Sequence, residues 1–358
     1  MRKKAVIAMS GGVDSSVAAF LLKKTGFDCI GVTMKLFTNE DLGAAQNASC
    51  CSLADVEDAR NVACRLNIPH YVLNFSDDFR NLVIRNFIET YRKGATPNPC
   101  IDCNRHIKFE RLLFRAKQLD FDYIVTGHYA RIEKTGGRFF LKKSRDPKKD
   151  QSYVLYTMTQ EQLAHTLFPL GDMTKEEVRE IASAQGFANA KKHDSQDICF
   201  VPDHDYAVFI ERYTGTPAEP GNIVDESGNI LGTHRGLIRY TIGQRRGLGL
   251  SFPEPRYVSA KSVAGNTLTL GREETLYTKA LVADAINVIA YPELRRPIRV
   301  KVKTRYLQIE QRATAEQVGA DRLRIDFDAP QRAVTAGQAA VLYDGDLVVG
   351  GGTIVGTV

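Results

Sequence analysis

No apolar run in this sequence of 358 residues approaches the roughly 18 residues that a membrane-spanning helix needs. The opening residues Met1 to Lys4 lead straight into a short β-branched run, not into the longer apolar core of a secretory signal. The seven cysteines are an odd number spread over a long chain, and the adjacent Cys50 and Cys51 have poor geometry for a disulfide. These absences argue against a membrane protein and a secreted disulfide framework. We expect a cytoplasmic protein that uses its thiols chemically.

The composition is otherwise that of an ordinary globular protein. Hydrophobic residues make up 43% of the chain and charged residues 25%, and we find no internal repeat or low-complexity segment. The length predicts two or three domains. The formal net charge of +6 permits a polyanionic partner without requiring one.

The pattern of apolar residues divides the chain into three predicted domains. Residues 1–200 alternate strand-like runs with amphipathic helical ones, which predicts an α/β domain with a Rossmann-like parallel sheet and helices on both faces. Turn signals and short alternating stretches predict a small, mainly β central domain over residues 201–279 and a C-terminal β-barrel over residues 280–358. The predicted strands are 5–9, 29–37, 70–75, 123–126, 298–303, 322–327 and 338–343. The predicted helices are 52–66, 79–92, with Gly94 as the C′ residue that ends it, and 107–119.

The stretch Ser10-Gly11-Gly12-Val13-Asp14-Ser15-Ser16 lies between the first predicted strand and a helix-like run. The two glycines allow positive φ and a close approach to a ligand, and the three serines add hydroxyl donors where the first helical N–H groups lack partners. This pattern predicts a phosphate cradle, although the Gly-Lys-Ser/Thr of a Walker A loop is missing. The alternative is an ordinary strand-to-helix turn with Asp14 or Ser15 as the N-cap.

The ends of the other predicted strands meet the same edge of the sheet. Open α/β sheets bind ligands beyond the carboxyl ends of their strands. Met34, near the end of the second strand, and Gly127 and His128, after the fourth, are therefore placed to meet a nucleotide on the first loop. Met34 could equally be a core residue, and Gly127 could be only a turn residue.

Two cysteine-containing stretches are candidates for thiol chemistry. Cys103 follows Cys100 in a Cys-x-x-Cys pair, near a predicted helix N-terminus and beside Arg105, and both neighbours favour a thiolate. Cys199 is a lone cysteine in a polar segment. The alternatives are a structural zinc knuckle at the pair and an inert buried thiol at Cys199, but no second Cys-x-x-Cys or His-x-x-x-His pair completes a zinc site.

Two groups of basic residues are candidates for contact with a polyanion. The first lies among glycines and Tyr240 in the central domain, where a solvated charged face is the alternative. The second alternates with apolar residues along a predicted barrel strand, and such a row of like charge could follow a phosphate backbone. The first group is Arg235, Arg239, Arg245 and Arg246, and the second is Arg299, Lys301, Lys303 and Arg305.

Several ordered motifs resemble those of a known enzyme family. The loop from Ser10 to Ser16 resembles the pyrophosphatase loop of the ATP-pyrophosphatase superfamily, whose members cleave ATP between the α- and β-phosphates. With further motifs in the same order over essentially the whole chain, the sequence resembles the tRNA-specific 2-thiouridylase family. These motifs are Thr96-Pro97-Asn98-Pro99 with Cys103-Asn104, Gly127-His128-Tyr129-Ala130-Arg131, Lys149-Asp150-Gln151-Ser152-Tyr153, Ile198-Cys199-Phe200 and Thr241-Ile242-Gly243-Gln244-Arg245.

The resemblance implies a tRNA uridine 2-sulfurtransferase whose residues 1–200 form an ATP-pyrophosphatase catalytic domain like that of adenine nucleotide α-hydrolases. The C2 oxygen of wobble uridine 34 is a very poor leaving group, so ATP first adenylates it. Sulfur from a cysteine persulfide then replaces it, which gives 2-thiouridine, AMP and pyrophosphate. Cys199 is implied to carry the persulfide and Cys103 to attack it or to help release its terminal sulfur, so that the two can end as a disulfide.

The same resemblance implies the cofactors and partners. ATP and Mg²⁺ are required, with Asp14 as a Mg²⁺ ligand. The RNA partner is the anticodon stem-loop of tRNA, whose target base must leave its stack. A sulfur-relay protein or a cysteine desulfurase supplies the sulfur. We expect no membrane partner and a monomer when the protein is free of tRNA.

The site residues implied by the resemblance form three groups. The residues implied to bind ATP are Ala8, Met9, Ser10, Gly11, Gly12, Val13, Asp14, Ser15, Met34 and Gly127. Those implied to contact the target base are Asn98, Pro99 and Cys100. Those implied to contact tRNA elsewhere are His128, Lys149, Asp150, Gln151, Arg305, Tyr306 and Gln338.

One position departs from the family pattern, because Cys100 stands where the best-known members carry an aspartate. A carboxylate could act there as a general acid or base, and a thiol is a poorer substitute. Cys100, Cys103 and Cys199 could instead hold a [4Fe–4S] cluster with one open iron for sulfide. More distant alternatives are an ATP-dependent amide-forming ligase and a non-catalytic RNA-binding protein.

Overall fold

The computed structural model of the protein describes residues 2–38, 53–192, 197–201 and 203–358. The Cys50–Cys51 pair and Ser52, the predicted start of a helix, lie outside these ranges. The chain divides into two compact units. Unit 1 comprises Met1–Ile84, Pro99–His204 and Gly345–Val348, and unit 2 comprises Arg85–Asn98, Asp205–Asp344 and Val349–Val358.

The secondary structure alternates in the first half of the chain and is mainly β in the second. The strands are β1 Lys4–Ala8, β2 Asp28–Lys35, β3 His70–Asn74, β4 Tyr123–Val125, β5 Ala130–Thr135, β6 Arg138–Lys143, β7 Thr166–Leu167, β8 Gly221–Val224, β9 Ile230–His234, β10 Tyr257–Ser262, β11 Thr267–Gly271, β12 Tyr277–Val288, β13 Ile298–Lys303, β14 Gln311–Gly319, β15 Arg322–Arg332, β16 Ala339–Asp344 and β17 Leu347–Thr357. The α-helices are α1 Val13–Lys24, α2 Leu53–Arg65, α3 Ser76–Phe79, α4 Arg85–Arg92, α5 Pro99–Asp102, α6 Leu112–Gln118, α7 Gln160–Ala164, α8 Lys175–Ala184 and α9 Tyr206–Thr214. Short 3₁₀ turns span Ser152–Leu155, Leu237–Arg239 and Glu273–Leu276, and π-helices span Arg80–Ile84 and Cys103–Arg111.

Unit 1 is built on a parallel sheet with the strand order β3-β2-β1-β4-β7. The predicted Rossmann-like sheet is confirmed, and β1 to β4 lie within two residues of their predicted bounds. The central strand β1 contains β-branched residues, and it is buried because helices cover the sheet. Val17 of α1, Val62 of α2 and Val178 of α8 share one buried cluster with Ile7 of β1.

The register of this sheet brings three strand ends to one edge. Ala8 lies opposite Val32, and Ile7 lies opposite Val125. Because the strands run in the same direction, the segments that follow β1, β2 and β4 leave the sheet side by side. The edge predicted to bind a nucleotide is thus assembled as the sequence indicates.

The helix predicted over residues 107–119 begins earlier than expected. It starts at Pro99 with α5, continues as the π-helix Cys103–Arg111 and ends with α6. Proline suits the first turn of a helix because its missing N–H would have no partner there. Cys103 therefore lies within a helical segment and not ahead of a helix N-terminus.

The helix predicted over residues 79–92 is also divided into consecutive elements. These are α3, the π-helix Arg80–Ile84 and α4. The predicted end at Gly94 is confirmed, since this residue has φ +79° and its N–H bonds the Tyr91 carbonyl at 3.0 Å. The Ala95 N–H reaches the Thr90 carbonyl at 3.1 Å, which completes a Schellman motif.

Unit 2 contains a small sheet and a closed barrel. The small sheet has the order β10-β11-β8-β9, and the barrel has the order β12-β15-β14-β13-β16-β17, closed by pairing of β12 with β17. The predicted mainly β region and barrel are confirmed. On β13, Val300 and Val302 are buried whereas Arg299 and Lys301 are exposed, as alternation predicts.

None of the helices in the described ranges has the length and apolar character that crossing a bilayer requires.

Candidate functional site

The loop between β1 and α1 has the geometry of an anion cradle. Gly11 takes φ +75°, and a Cβ there would lie 2.3 Å from the Asp55 carbonyl oxygen, so no larger residue fits. Gly12, with extended backbone, is the N-cap of α1 and makes no side-chain cap bond. The interpretation of Asp14 or Ser15 as the N-cap is therefore wrong.

The backbone N–H groups from Gly11 to Ser15 donate to no acceptor within the described part of the chain. The first closed bond of the helix runs from the Ser16 N–H to the Gly12 carbonyl at 3.2 Å. Unpaired N–H groups at the positive end of a helix dipole attract phosphate or carboxylate. The loop is thus built to accept an anion.

The serine hydroxyls mainly shape this loop. Ser15 Oγ and Ser16 Oγ both donate to the Gly12 carbonyl, at 3.0 and 2.9 Å. Ser15 Oγ also accepts the Ser10 N–H at 3.2 Å. All three hydroxyls expected to face a ligand are engaged within the loop, since Ser10 Oγ lies 3.4 Å from Ser15 Oγ, although Ser10 is exposed.

Asp14 is held by a lysine from a distant part of the sequence. Lys175 Nζ lies 2.7 and 2.8 Å from the two carboxylate oxygens, and Tyr129 Oη donates to Oδ1 at 2.8 Å. The Lys175 side chain is 7% exposed, so this ion pair is largely shielded from water. The cation that the loop lacks in its own sequence therefore comes from the first residue of α8.

Gly127 and Met34 occupy the predicted edge. A Cβ on Gly127 would lie 2.8 Å from both the Asp14 carbonyl carbon and the Ser15 nitrogen, so the β4 end packs directly against the start of α1. Met34 is half-buried on β2, next to the terminal residue Lys35. The roles of these residues toward ATP stay predictions.

Cys100, Cys103 and Cys199 of unit 1 lie close enough together for a charge on one thiol to affect the pKa of another. Burial raises the pKa of Cys103 to about 12; the Lys108 ammonium lowers it and a charge on Cys199 raises it. Burial, followed by the charge of Cys199, raises the pKa of Cys100. The expectation that a helix N-terminus and Arg105 would favour a Cys103 thiolate is wrong, because the thiol is buried within the helix and Lys108 is the cation that acts on it.

Within the described ranges, no three His, Cys, Asp or Glu side chains are grouped as ligands of a metal ion. The zinc knuckle and the iron–sulfur cluster considered for Cys100, Cys103 and Cys199 therefore gain no support from the geometry. None of these three cysteines forms a disulfide in the described part of the chain.

The motif residues near 128 and 150 are tied into the fold of unit 1. His128 is buried, with its ring 5.8 Å from the rings of both Phe109 and Phe168. Burial holds the pKa of His128 well below its ordinary value, so the imidazole is neutral. Asp150 accepts from Ser144 N at 3.0 Å, and Gln151 Oε1 accepts from the Tyr129 N–H at 2.9 Å.

In unit 2, the segment before Asn98 is held by Gln338. Its Nε2 donates to the carbonyls of Thr96 and Pro97, at 2.9 and 3.2 Å. Arg305 donates to the Ala333 carbonyl, and Tyr306 is half-buried.

Each of the two predicted basic groups contains an arginine that forms an ion pair with a carboxylate. Arg299 pairs with Asp328 at 2.5 Å, and Arg239 pairs with Glu211 at 2.6 Å, so these two arginines are neutralised locally.

Family models and relatives cover almost the entire chain. The models described as tRNA methyl transferase HUP domain, tRNA methyl transferase PRC-barrel domain and Aminomethyltransferase beta-barrel domain match residues 3–203, 207–272 and 278–354. The tRNA-specific 2-thiouridylase MnmA of Clostridioides difficile is 52% identical over 356 residues, covering 99% of this chain and 98% of the relative. The protein of the same name from Lachnoclostridium phytofermentans is 51% identical over 355 residues, covering 99% of both chains. The chain belongs to the tRNA-specific 2-thiouridylase family.

Solved structures resemble the chain less closely. The structure titled as a 4-thiouridine synthetase–RNA complex with bound ATP aligns with 60% of this chain and 50% of that chain, at 17% identity and a TM-score of 0.36. A likeness of this size carries no argument about the site.

For this member of the 2-thiouridylase family, sequence motifs locate the loop but not the residues that hold it. Lys175 lies 161 residues from Asp14, and no motif indicates their pairing. The only local signal is the capping box formed by Thr174 and Glu177, which predicts the helix start and not its contact. Lys108 shares a helical segment with Cys103, but Arg105 is nearer in sequence and was the expected cation.

Proposed function

We propose that the protein is a tRNA uridine 2-sulfurtransferase. It adenylates the C2 oxygen of uridine 34 with ATP and replaces that oxygen by sulfur, which gives 2-thiouridine, AMP and pyrophosphate. The observation that carries the proposal is the presence, in one compact unit, of an open N–H cradle at Gly11 to Ser15 and of the thiols Cys103 and Cys199, of which a charge on the second raises the pKa of the first. The close full-length relatives support the same activity.

The cradle binds the phosphates of ATP, and Met34 and Gly127 line the same edge. Asp14 offers the carboxylate that Mg²⁺ prefers, and Mg²⁺ supplies charge that screens the departing pyrophosphate. In the structure both oxygens of Asp14 face Lys175. Lys175 would have to leave at least one of these oxygens for Asp14 to hold Mg²⁺, and its ammonium would then be available to the phosphates.

The thiols deliver the sulfur in balanced steps. The terminal sulfur of a Cys199 persulfide attacks C2 of the adenylated uridine, and AMP leaves with the C–O electron pair. The Cys103 thiolate then attacks the Cys199 sulfur and breaks the S–S bond, which leaves 2-thiouridine and a Cys103–Cys199 disulfide. A thiol reductant restores both thiols by donating two electrons.

The pKa of Cys103 constrains this second step. A thiol with a pKa of about 12 is ionised to only roughly one part in 10⁵ at neutral pH. We infer that attack on the persulfide requires removal of the proton as tRNA binds, with the Lys108 ammonium stabilising the anion that forms.

Recognition of tRNA is assigned to residues of both units. We infer contacts of Asn98, Pro99 and Cys100 with the target base, and contacts of the Lys149 to Gln151 segment and of Arg305, Tyr306 and Gln338 with the rest of the anticodon stem-loop. His128 acts as a neutral buried support and not as a charged contact.

A sulfur-relay protein or a cysteine desulfurase loads Cys199 with sulfur. The protein acts as a cytoplasmic monomer, and its three domains span residues 1–200, 201–279 and 280–358.

The test is a reconstituted reaction with unmodified tRNA, ATP, a cysteine desulfurase and a thiol reductant. Nucleoside mass spectrometry measures 2-thiouridine, and a coupled assay measures pyrophosphate. Cys103→Ser and Cys199→Ser should each abolish 2-thiouridine, whereas Cys64→Ser, at an exposed thiol of the same unit, should retain it. Retained thiolation in either of the first two variants would contradict the proposal.

A further inference from the structure

Asn189 contacts the nucleotide loop although no motif includes it. The residue follows α8 in unit 1 and is 4% exposed. Its Nδ2 donates at 2.9 Å to the Gly11 carbonyl and at 2.9 Å to Ser16 Oγ. Lys192 Nζ, which forms ion pairs with Asp55 and Asp58, also lies 3.4 Å from the Gly11 carbonyl.

The bond to the Gly11 carbonyl fixes the direction of the next N–H group. In a trans peptide the carbonyl and the N–H point to opposite sides of the chain. Because Asn189 holds the Gly11 oxygen on one side, the Gly12 N–H points away from Asn189. That N–H is one of the groups from Gly11 to Ser15 that lack an acceptor in the described part of the chain.

A peptide between two glycines needs such a restraint. Without Cβ atoms, Gly11 and Gly12 can adopt conformations on both sides of the Ramachandran plot at little cost, so the peptide between them can flip. A flip would turn a carbonyl oxygen toward a bound phosphate. The Gly12 carbonyl is separately held by the hydroxyls of Ser15 and Ser16, which leaves the Gly11 carbonyl to Asn189 and Lys192.

The orientation of the Asn189 amide is set by its partners. Turning the amide would place its oxygen against the Gly11 carbonyl oxygen, so the NH₂ group must face the loop. Asn189 Oδ1 is then buried without a partner in the described structure, and an unsatisfied buried acceptor destabilises the fold. This asymmetry fits a residue kept for its two donors and not for general packing.

We propose that Asn189 is a positioning residue for ATP, which locks the Gly11–Gly12 peptide so that the Gly12 N–H faces the polyphosphate. The inference rests on the proposed function, because ATP is the ligand of the cradle. It adds a residue that acts on the phosphates through the loop and does not touch the nucleoside.

The test measures dissociation constants by calorimetry, without tRNA, for Mg·ATP and for adenosine. Asn189→Ala should weaken Mg·ATP about tenfold and leave adenosine unchanged, and Asn189→Asp should weaken Mg·ATP further, because it places a carboxylate against the Gly11 carbonyl. Ser183→Ala is the matched control: it removes a side-chain hydrogen bond to the Arg179 carbonyl at an exposed position of α8, so its affinity for Mg·ATP should stay within about threefold of wild type.

Three outcomes would overturn the inference. The first is unchanged Mg·ATP affinity in both Asn189 variants. The second is a parallel loss of adenosine binding, which marks a general structural defect. The third is an equal loss of Mg·ATP affinity in Ser183→Ala. Wild-type protein that binds neither ligand would overturn the proposed function together with the inference, so the two failures are distinguishable.

Discussion

The ion pair between Lys175 and Asp14 gives a prediction that follows directly from distances and exposure. Both carboxylate oxygens lie within 2.8 Å of Lys175 Nζ, whose side chain is 7% exposed, whereas that of Asp14 is 30% exposed. Removing one partner of a fully buried pair costs about 3–5 kcal/mol. Because Asp14 stays partly exposed to water and keeps its hydrogen bond from the Tyr129 hydroxyl, we expect Lys175→Met to lower the free energy of unfolding by about 2–3 kcal/mol.

Thermal melting measures this loss. The melting temperature of Lys175→Met should fall by about 5–10 °C, whereas Lys191→Met, at an exposed lysine nearby, should change stability by less than about 0.5 kcal/mol. In a double-mutant cycle, Asp14→Asn should recover part of the loss, with a coupling free energy above about 1 kcal/mol. Two results would refute the assignment of a shielded ion pair. One is that the stability losses of Lys175→Met and Asp14→Asn simply add. The other is that Lys175→Met is as stable as Lys191→Met.

Three further predictions concern the site. Gly127→Ala should weaken ATP binding and lower the free energy of unfolding by about 1–3 kcal/mol, because its Cβ would lie 2.8 Å from the start of α1. Calorimetry measures the binding and thermal melting measures the stability. Lys108→Met should slow the alkylation of Cys103 at pH 9, because Lys108 lowers the Cys103 pKa. Arg105→Met should not slow it, because Arg105 has no such effect. Peptide mass spectrometry measures the rates, and equal slowing in both variants would contradict this prediction. His128 should show no NMR titration between pH 6 and 8, since burial lowers its pKa. The stability of the folded protein should fall as the pH drops below about 6.5, because the imidazole takes up a proton in the unfolded chain but not in the folded one.

The parts of the fold that could be predicted depend on local sequence. The β-branched run of β1, the paired glycines after it and the alternation of β13 each determine structure over a few residues. The bounds of β1 to β4, β13 and β16 were therefore predicted to within two residues, whereas β15 runs to Arg332, five residues beyond its predicted end. Gly94 was predictable as a helix end for the same reason, because a left-handed residue after a helix favours glycine.

The residues that sequence reasoning missed act through tertiary packing. Lys175 and Asn189 reach the loop from more than 160 residues away, and nothing in their neighbours indicates the contact. The Cys103 pKa depends on burial, which outweighs the charge of nearby residues in the sequence. His128 belongs to a motif implied to contact tRNA, yet the aromatic rings of Phe109 and Phe168 enclose it, because motif membership does not determine exposure.

The two π-helices form a third class of miss. The spacing of apolar residues over 103–111 is close enough to the α-helical period that a pattern cannot distinguish the two geometries. The misplaced helix start has a separate cause, because Pro99 opens the helix and thereby puts Cys103 inside the helical segment.

The central claim is that ATP converts the C2 oxygen of uridine 34 into a leaving group. It is tested most directly with tRNA that carries ¹⁸O at C2 of that uridine, incubated with the protein, ATP and a sulfur donor. The account predicts that the AMP released with each 2-thiouridine is heavier by the ¹⁸O label in mass spectrometry, while pyrophosphate is unlabelled. Formation of 2-thiouridine with the label in water or pyrophosphate, and none in AMP, would contradict it.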